Sequence, residues 1–226
     1  MNPNRPESYA RRSQTYHLHP ATAYEVHEDA AVITQYSAQD SLQQLQACAL
    51  LDLSELSRFG VRGPQAEKIL TSEGLPFPAA INQAVVSEPR SLVARLGKTE
   101  CWVLADPLAD KPAQGMLDIR VMNESGCYPL YCQDSHAWFA LTGRHLPDLM
   151  AKLCGVDLRP DQFPPGAVVQ SSVARVSAII IHHELEGIPV FYLLSDSSSA
   201  EYLWKALQDA MQEYAGQPSG LAAFTS

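Results

Sequence analysis

Residues 50–70 read LLDLSELSRFGVRGPQAEKIL, and residues 91–106 read SLVARLGKTECWVLAD. Both stretches return eighty residues downstream. Phe59 falls on Phe139, Gly63 on Gly143, and Ser91-Leu92-Val93-Ala94-Arg95 on Ser171-Ser172-Val173-Ala174-Arg175. Ala66, Ile69 and Leu70 fall on Leu146, Leu149 and Met150, so an i, i+3, i+4 apolar stripe sits in one register in both copies. Such a stripe predicts an amphipathic helix at the same place in each. A repeat this long is not a solenoid unit. It predicts an α+β fold of two pseudo-symmetric halves sharing one sheet and one core, each half running strand, strand, helix, β-hairpin, helix. The expected division is a tail over residues 1–15, one domain over 16–215 built from halves at about 51–126 and 127–215, and a tail over 216–226.

Working outward, residues 30–36 (AAVITQY) read as a short β-branched strand. Residues 50–53 and 59–61 read as extended runs, and Gly63-Pro64 opens the first helix. That helix should stop near Gly74. Residues 92–96 and 101–105 form a hairpin closed at 97–100. A weaker helical stretch is expected around Met116, Ile119 and Arg120. In the second copy, residues 128–131 and 137–141 read as strands, and a helix begins at Gly143 and ends near Gly155. Residues 172–181 and 188–194 read as a hairpin whose tip is His182-His183-Glu184-Leu185-Glu186-Gly187. Ser198-x-x-Glu201 reads as a capping box opening the best helix, with Leu203, Ala206, Leu207, Ala210 and Tyr214 on one face.

Composition narrows the function. The chain has 226 residues, 46% of them apolar, and a net charge of −9; its pI is near 5.2. An acidic chain without a basic stripe argues against nucleic acid or an anionic membrane as partner. No stretch approaches the ~20 apolar residues of a spanning helix. The first residues lack an apolar core after their arginines, so they do not read as a secretory signal. Five cysteines without a C-x-x-C pair predict reduced thiols in a cytoplasmic protein.

Chemistry-bearing residues are sparse. His17-x-His19 would share one strand face, as a metal pair needs, but no third ligand accompanies it. His182-His183-Glu184 reads as a solvated tip. Arg95 and Arg175 sit at matching points of the copies among apolar residues; they are either a structural pair pinning the halves together or an anion clamp for a carboxylate or phosphate. They are the candidate cofactor-binding residues. Asp52 reads as a cap or turn residue before a strand base. Asp134-Ser135-His136 has triad residue types without a nucleophile elbow. No phosphate loop, dinucleotide fingerprint or zinc pattern is present. The expectation is no catalytic and no metal-binding residue.

Two stretches carry a family resemblance. Residues 50–70, with Asp52-x-Ser54, then Gly63, Ala66 and Ile69-Leu70, resemble the opening of the aminomethyltransferase (glycine-cleavage T-protein) superfamily. Residues 138–182, WFALTGRHLPDLMAKLCGVDLRPDQFPPGAVVQSSVARVSAIIIH, resemble the gamma subunit of heterotetrameric sarcosine oxidase, most specifically from Gly155 to Arg175. Dimethylamine monooxygenase has a similar small gamma-type subunit. The resemblance spans about residues 30–214. It implies an aminomethyltransferase-like folate-binding fold and a non-catalytic subunit of a cytosolic oxidoreductase that demethylates a small N-methylated amine. Partner subunits would carry flavin, nicotinamide, haem or iron, in a hetero-oligomer. The resemblance leaves a tetrahydrofolate-binding module as the alternative and ranks a free-standing aminomethyltransferase below it. The catalytic aspartate of those enzymes lies in the first hairpin, and residues 95–101 (RLGKTEC) contain none. No secure counterpart exists for their pterin-gripping glutamate; Glu184 and Glu186 would be guesses.

Overall fold

The computed structural model describes residues 9–20, 23–27, 30–87, 91–109 and 126–225. The chain opens with strands β1 (Ala23–His27) and β2 (Ala30–Gln35), an antiparallel pair. Helix α1 (Leu42–Ala47) follows, its N-cap Ser41 accepting a hydrogen bond from the Gln44 N–H. Next come β3 (Ala49–Asp52), β4 (Arg58–Arg62), α2 (Ala66–Ser72), β5 (Gln83–Val86), β6 (Leu92–Gly97) and β7 (Glu100–Leu104). The second part holds β8 (Tyr128–Leu130), α3 (Cys132–Ser135), β9 (His136–Thr142), α4 (Leu146–Met150), β10 (Val168–Val173), β11 (Val176–Leu185), β12 (Ile188–Asp196), α5 (Ala200–Met211) and β13 (Gln217–Pro218).

The expectation of one shared sheet is corrected. Besides the two-stranded β1–β2 sheet, the described residues form two sheets, ordered β5-β6-β7-β4-β8 and β10-β11-β12-β9-β3-β13. Their connectivity is the same, and each half gives its first strand to the other: β3 pairs with β9, and β8 pairs with β4. The turn glycines show the same symmetry. Gly63 and Gly143 follow the equivalent strands with φ of +139° and +106°. A Cβ on Gly63 would meet the Gly126 carbonyl at 2.3 Å, and one on Gly143 would meet the Ala47 carbonyl at 2.4 Å. Gly126 and Ala47 each sit two residues before the exchanged strand. Gly63→Ala or Gly143→Ala should therefore destabilise by about 3 kcal/mol or more, since backbone strain adds to a clash with backbone that cannot move away. Urea unfolding of each variant checks this.

The core that the halves share does form, between the sheets. Leu51, Trp102, Leu104, Trp138, Ile181 and Tyr192 meet there. Alternation then sends Phe139, Leu141, Phe191 and Leu193 to the opposite face, beneath Leu203, Trp204 and Leu207 of α5. Val61, Val93 and Val103 cover the outer face of the smaller sheet against Ile69 and Leu70 of α2. Both faces of β9 are buried, so a one-residue slip would exchange Trp138 for Phe139 between two differently shaped cores.

The offset of eighty holds through the helices and then fails. Residues 73–82 join α2 to β5, while 151–167 join α4 to β10, so β6 matches β11 rather than the residues eighty further on. Residues 172–181 are accordingly not one strand. Ala174 and Arg175, at φ +48° and +71°, make a two-residue turn between β10 and β11. The next hairpin closes at Glu186-Gly187 alone, with His182 and His183 inside β11 opposite Phe191 and Val190. Helix α4 is one short turn that stops at Met150, well before Gly155. Residues 16–18 are a 3₁₀ turn instead of a strand. The capping box does not form: Asp196 accepts from the Ser198 N–H, and Glu201 pairs with Lys205. The helical stretch expected around Met116, Ile119 and Arg120 lies outside the described residues.

Both tails bind the body where they are described. Arg11 bridges to Ala30, and Ser13 and Thr15 are buried. β13 pairs with β3, and Ala223 and Phe224 are buried behind it. Residues 1–8, the rest of the expected N-terminal tail, lie outside the described residues.

Candidate functional site

Three sets of polar side chains lie where the halves meet. The first surrounds Asp52, at the end of the exchanged strand β3. Its carboxylate accepts from Ser13 Oγ, from Thr15 Oγ1 at 2.6 Å and from the Ser54 N–H at 2.9 Å, and lies 3.0 Å from His19 Nε2. The His19 and Asp52 side chains are 0% and 1% exposed. Burial alone would push the Asp52 carboxyl up. The His19 hydrogen bond and charge, with the bonds from Ser13 and Ser54, outweigh it and hold the pKa at about 2. The sequence reading of Asp52 as a cap or turn residue covers only its bond to Ser54. His17 and His19 do not converge: His17 is half exposed and faces Glu201 at 3.4 Å, while His19 stacks edge-on against Trp204.

The second set is a single arginine that sequence reasoning missed. Arg58, at the start of β4, is 4% exposed. Its guanidinium donates to the carbonyls of Ser54 at 2.7 Å, Leu56 at 3.1 Å, Cys132 at 3.2 Å and Gln133 at 3.0 Å, and to that of His136. Burial lowers its pKa to about 10, against the opposing pull of Cys132, Glu55 and Asp52.

The third set is an open groove of about 640 Å³ at the mouth of the shared core. The smaller sheet gives it Arg62, Glu100 and Trp102; the larger gives it His136, Gln170 and Asp196. Its floor is apolar, with Leu96, Ile179 and Leu194. Arg62 Nη2 lies 2.5 Å from Glu100 Oε2, and Trp102 Nε1 donates to Glu100 Oε1 at 3.1 Å, so both glutamate oxygens are engaged. The Trp102 indole lies over Gly60, where a Cβ would come within 3.0 Å of it, and meets the His136 ring edge-on at 4.8 Å. Gln170 bridges the halves through the Leu96 carbonyl at 2.7 Å. Burial and then Arg58 lower the His136 pKa, while Asp196 and Glu100 pull it up.

The other sequence candidates lie apart. Arg95 and Arg175 are not brought together and are not equivalent, because the offset that aligned them fails after the helices. The Arg95 guanidinium donates to the carbonyls of Pro78, Ala79, Gly97 and Lys98 and lies 4.3 Å from the Phe77 ring centroid. Arg175 is exposed in the β10–β11 turn. His182, expected at a solvated tip, is 6% exposed between Phe163 and Phe191, with Nδ1 2.6 Å from the Phe163 carbonyl. Glu184 and Glu186 are exposed. Ser135 Oγ contacts His136 Nδ1 at 2.8 Å, but the carboxylate across from His136 is Asp196 on β12, not Asp134. Among the described residues, no group of three or more His, Cys, Asp or Glu is placed to hold a metal ion. All five cysteines are free and buried, and burial raises the thiol pKa of Cys101 and Cys132 to about 12.

Comparison with known proteins bears on this arrangement. The chain is similar to a chain of the heterotetrameric sarcosine oxidase from Corynebacterium sp. U-96: 21% identity, TM-score 0.68, covering 91% of this chain and 96% of that one. It is also similar to the glycine cleavage system aminomethyltransferase T from Bartonella henselae: 17% identity, TM-score 0.71, covering 94% of this chain and 60% of that one. At these identities the likeness shows the fold, which is the α+β architecture expected from the sequence. Among curated protein sequences nothing matches. No helix among the described residues is long and apolar enough to cross a membrane. A family model for the sarcosine oxidase gamma subunit matches residues 68–213, well over half of the chain. The chain belongs to the sarcosine oxidase gamma subunit family.

Proposed function

We propose that this chain is the non-catalytic gamma-type subunit of a cytoplasmic multi-subunit oxidoreductase that demethylates a small N-methylated amine, of the sarcosine or dimethylamine type. The family match over residues 68–213 carries this reading. In it, residues 16–215 form one domain, since each half lends a strand to the other, and flavin, nicotinamide, haem or iron reside in the partner subunits. Five buried free thiols suit a reducing compartment.

The chain's own side chains support a role without turnover. The Asp52–His19 pair has no solvent access, so no substrate reaches it. The Ser135–His136 contact is exposed and lacks a hydrogen-bonded carboxylate behind the imidazole among the described residues. The Cys101 and Cys132 thiols, pushed up to about 12 by burial, stay protonated at neutral pH. The purified chain, incubated with sarcosine or dimethylamine with and without tetrahydrofolate, should give no formaldehyde or methylene-folate; turnover at enzyme-like rates would overturn the reading. Co-expression with the other subunits of such an oxidoreductase should yield a complex on gel filtration.

Tetrahydrofolate uptake is the second reading. The groove is large enough for a pterin. Its donor set fits poorly, because a pterin edge presents adjacent N–H donors to one carboxylate, and both oxygens of Glu100 are already engaged. Titration with tetrahydrofolate, followed through Trp102 fluorescence, should show no saturable quenching.

A further inference from the structure

On the assumption that the chain is a subunit, we infer that the partner subunit docks on the face of the β8–β4–β7 strands that leads into the groove, and inserts a lysine or arginine side chain against Asp196. The register builds this face. Tyr128 lies opposite Arg62, and Arg62 lies opposite Glu100, so three side chains form one row across three strands. Trp102 stands in the next row, over Gly60. Tyr128 and Tyr131, just beyond β8, are each 63% exposed. Tyrosine, tryptophan and arginine are the side chains that dominate interface energetics, through large contact area at low entropic cost.

The chemistry of the groove specifies what enters it. Arg62 is neutralised by Glu100. Asp196, exposed on the opposite rim, has no lysine or arginine beside it among the described residues. The floor of Leu96, Ile179 and Leu194 suits a methylene stem, and the rim suits a cationic head. The chain as a whole carries −9, which favours a positively charged partner surface. Side chains rather than strand addition make the contact, because Pro129 at the centre of the edge strand β8 has no N–H to offer an incoming strand.

The test uses the complex assembled by co-expression, with dissociation constants measured between the tagged chain and the remaining subunits. Tyr128→Ala combined with Tyr131→Ala should weaken binding by about thirty-fold, the scale of a hot-spot loss. Asp196→Lys should weaken it by about tenfold and flatten its dependence on salt. Tyr202→Ala, on α5 at the far side of the larger sheet and 52% exposed, should change it less than about twofold. Circular dichroism establishes that each variant is folded. If the unaltered chain assembles but the tyrosine and aspartate variants bind as tightly, the docking face is wrong and the subunit reading stands. If the unaltered chain assembles with none of the subunits, both fall together.

Discussion

Arg58→Ala should lose about 3–5 kcal/mol of stability, the range for removing one member of a buried charged network. The reason lies in what the guanidinium holds. Its partners are the carbonyls of Ser54 and Leu56, just after β3, and those of Cys132, Gln133 and His136, around α3 and the start of β9. One side chain thus ties together the segments that carry both exchanged strands. Its pKa, lowered to about 10, says that burial outweighs the nearby carboxylates. The clamp therefore acts through hydrogen bonds more than through ion pairing. Removing it leaves the carbonyls of Leu56, Gln133 and His136 short of a donor, each costing about 1–3 kcal/mol before water enters the hole, while that of Ser54 keeps Gln133 Nε2 and that of Cys132 keeps the His136 N–H. Arg58→Lys should recover little, because a lysine offers three donors from one point where the arginine offers a planar fork of five. Urea unfolding followed by circular dichroism measures the loss. A midpoint shift equivalent to less than about 1 kcal/mol would mean that the carbonyls of Leu56, Gln133 and His136 find other donors.

Stability should also fall in acid through Asp52. Its carboxyl is held at about 2, against 3.8 for the free group. A depressed carboxyl pKa stabilises the fold above the unfolded value and loses that contribution as pH falls toward the folded one. The contribution is about 2 kcal/mol above pH ~4, lost between pH ~4 and ~2. Asp52→Asn should lower stability at pH 7 and leave a flatter acid limb, so the two curves converge near pH 2. A constant offset at every pH would exclude Asp52 as the titrating group. Asp52→Ala, leaving Ser13, Thr15 and His19 without their common acceptor, should cost about 3 kcal/mol. It should also release the N-terminal segment, so that trypsin cuts at Arg11 or Arg12 faster than in the unaltered protein. Deleting residues 1–15 removes two of the same partners, so it destabilises the body instead of trimming an idle tail.

The sequence by itself determined the elements whose cause is local. The i, i+3, i+4 stripe placed α2 and α4, because a helix with one apolar face has only one way to bury it. The β-branched run of residues 30–36 placed β2, and Gly63 and Gly143 marked both turns, because only glycine tolerates a carbonyl where Cβ would stand. The resemblance at residues 50–70 and 138–182 reached the family. Only the tertiary structure decided the rest. Strand exchange leaves no local mark, since β3 satisfies its hydrogen bonds equally well beside either half; pairing with β9 puts Leu50 into the core beneath α5, while Leu51 enters the core that both halves share. The match of Ser91–Arg95 with Ser171–Arg175 misled because identity of residue type is not identity of hydrogen-bond register, and a longer connection after α4 had shifted the second copy. Asp52 finds Ser13, Thr15 and His19 33 to 39 residues away, and Arg58 finds Cys132, Gln133 and His136 74 to 78 residues away. A charged residue near a strand end reads as exposed until such partners are known, because burial of a charge depends on what the rest of the chain brings to it.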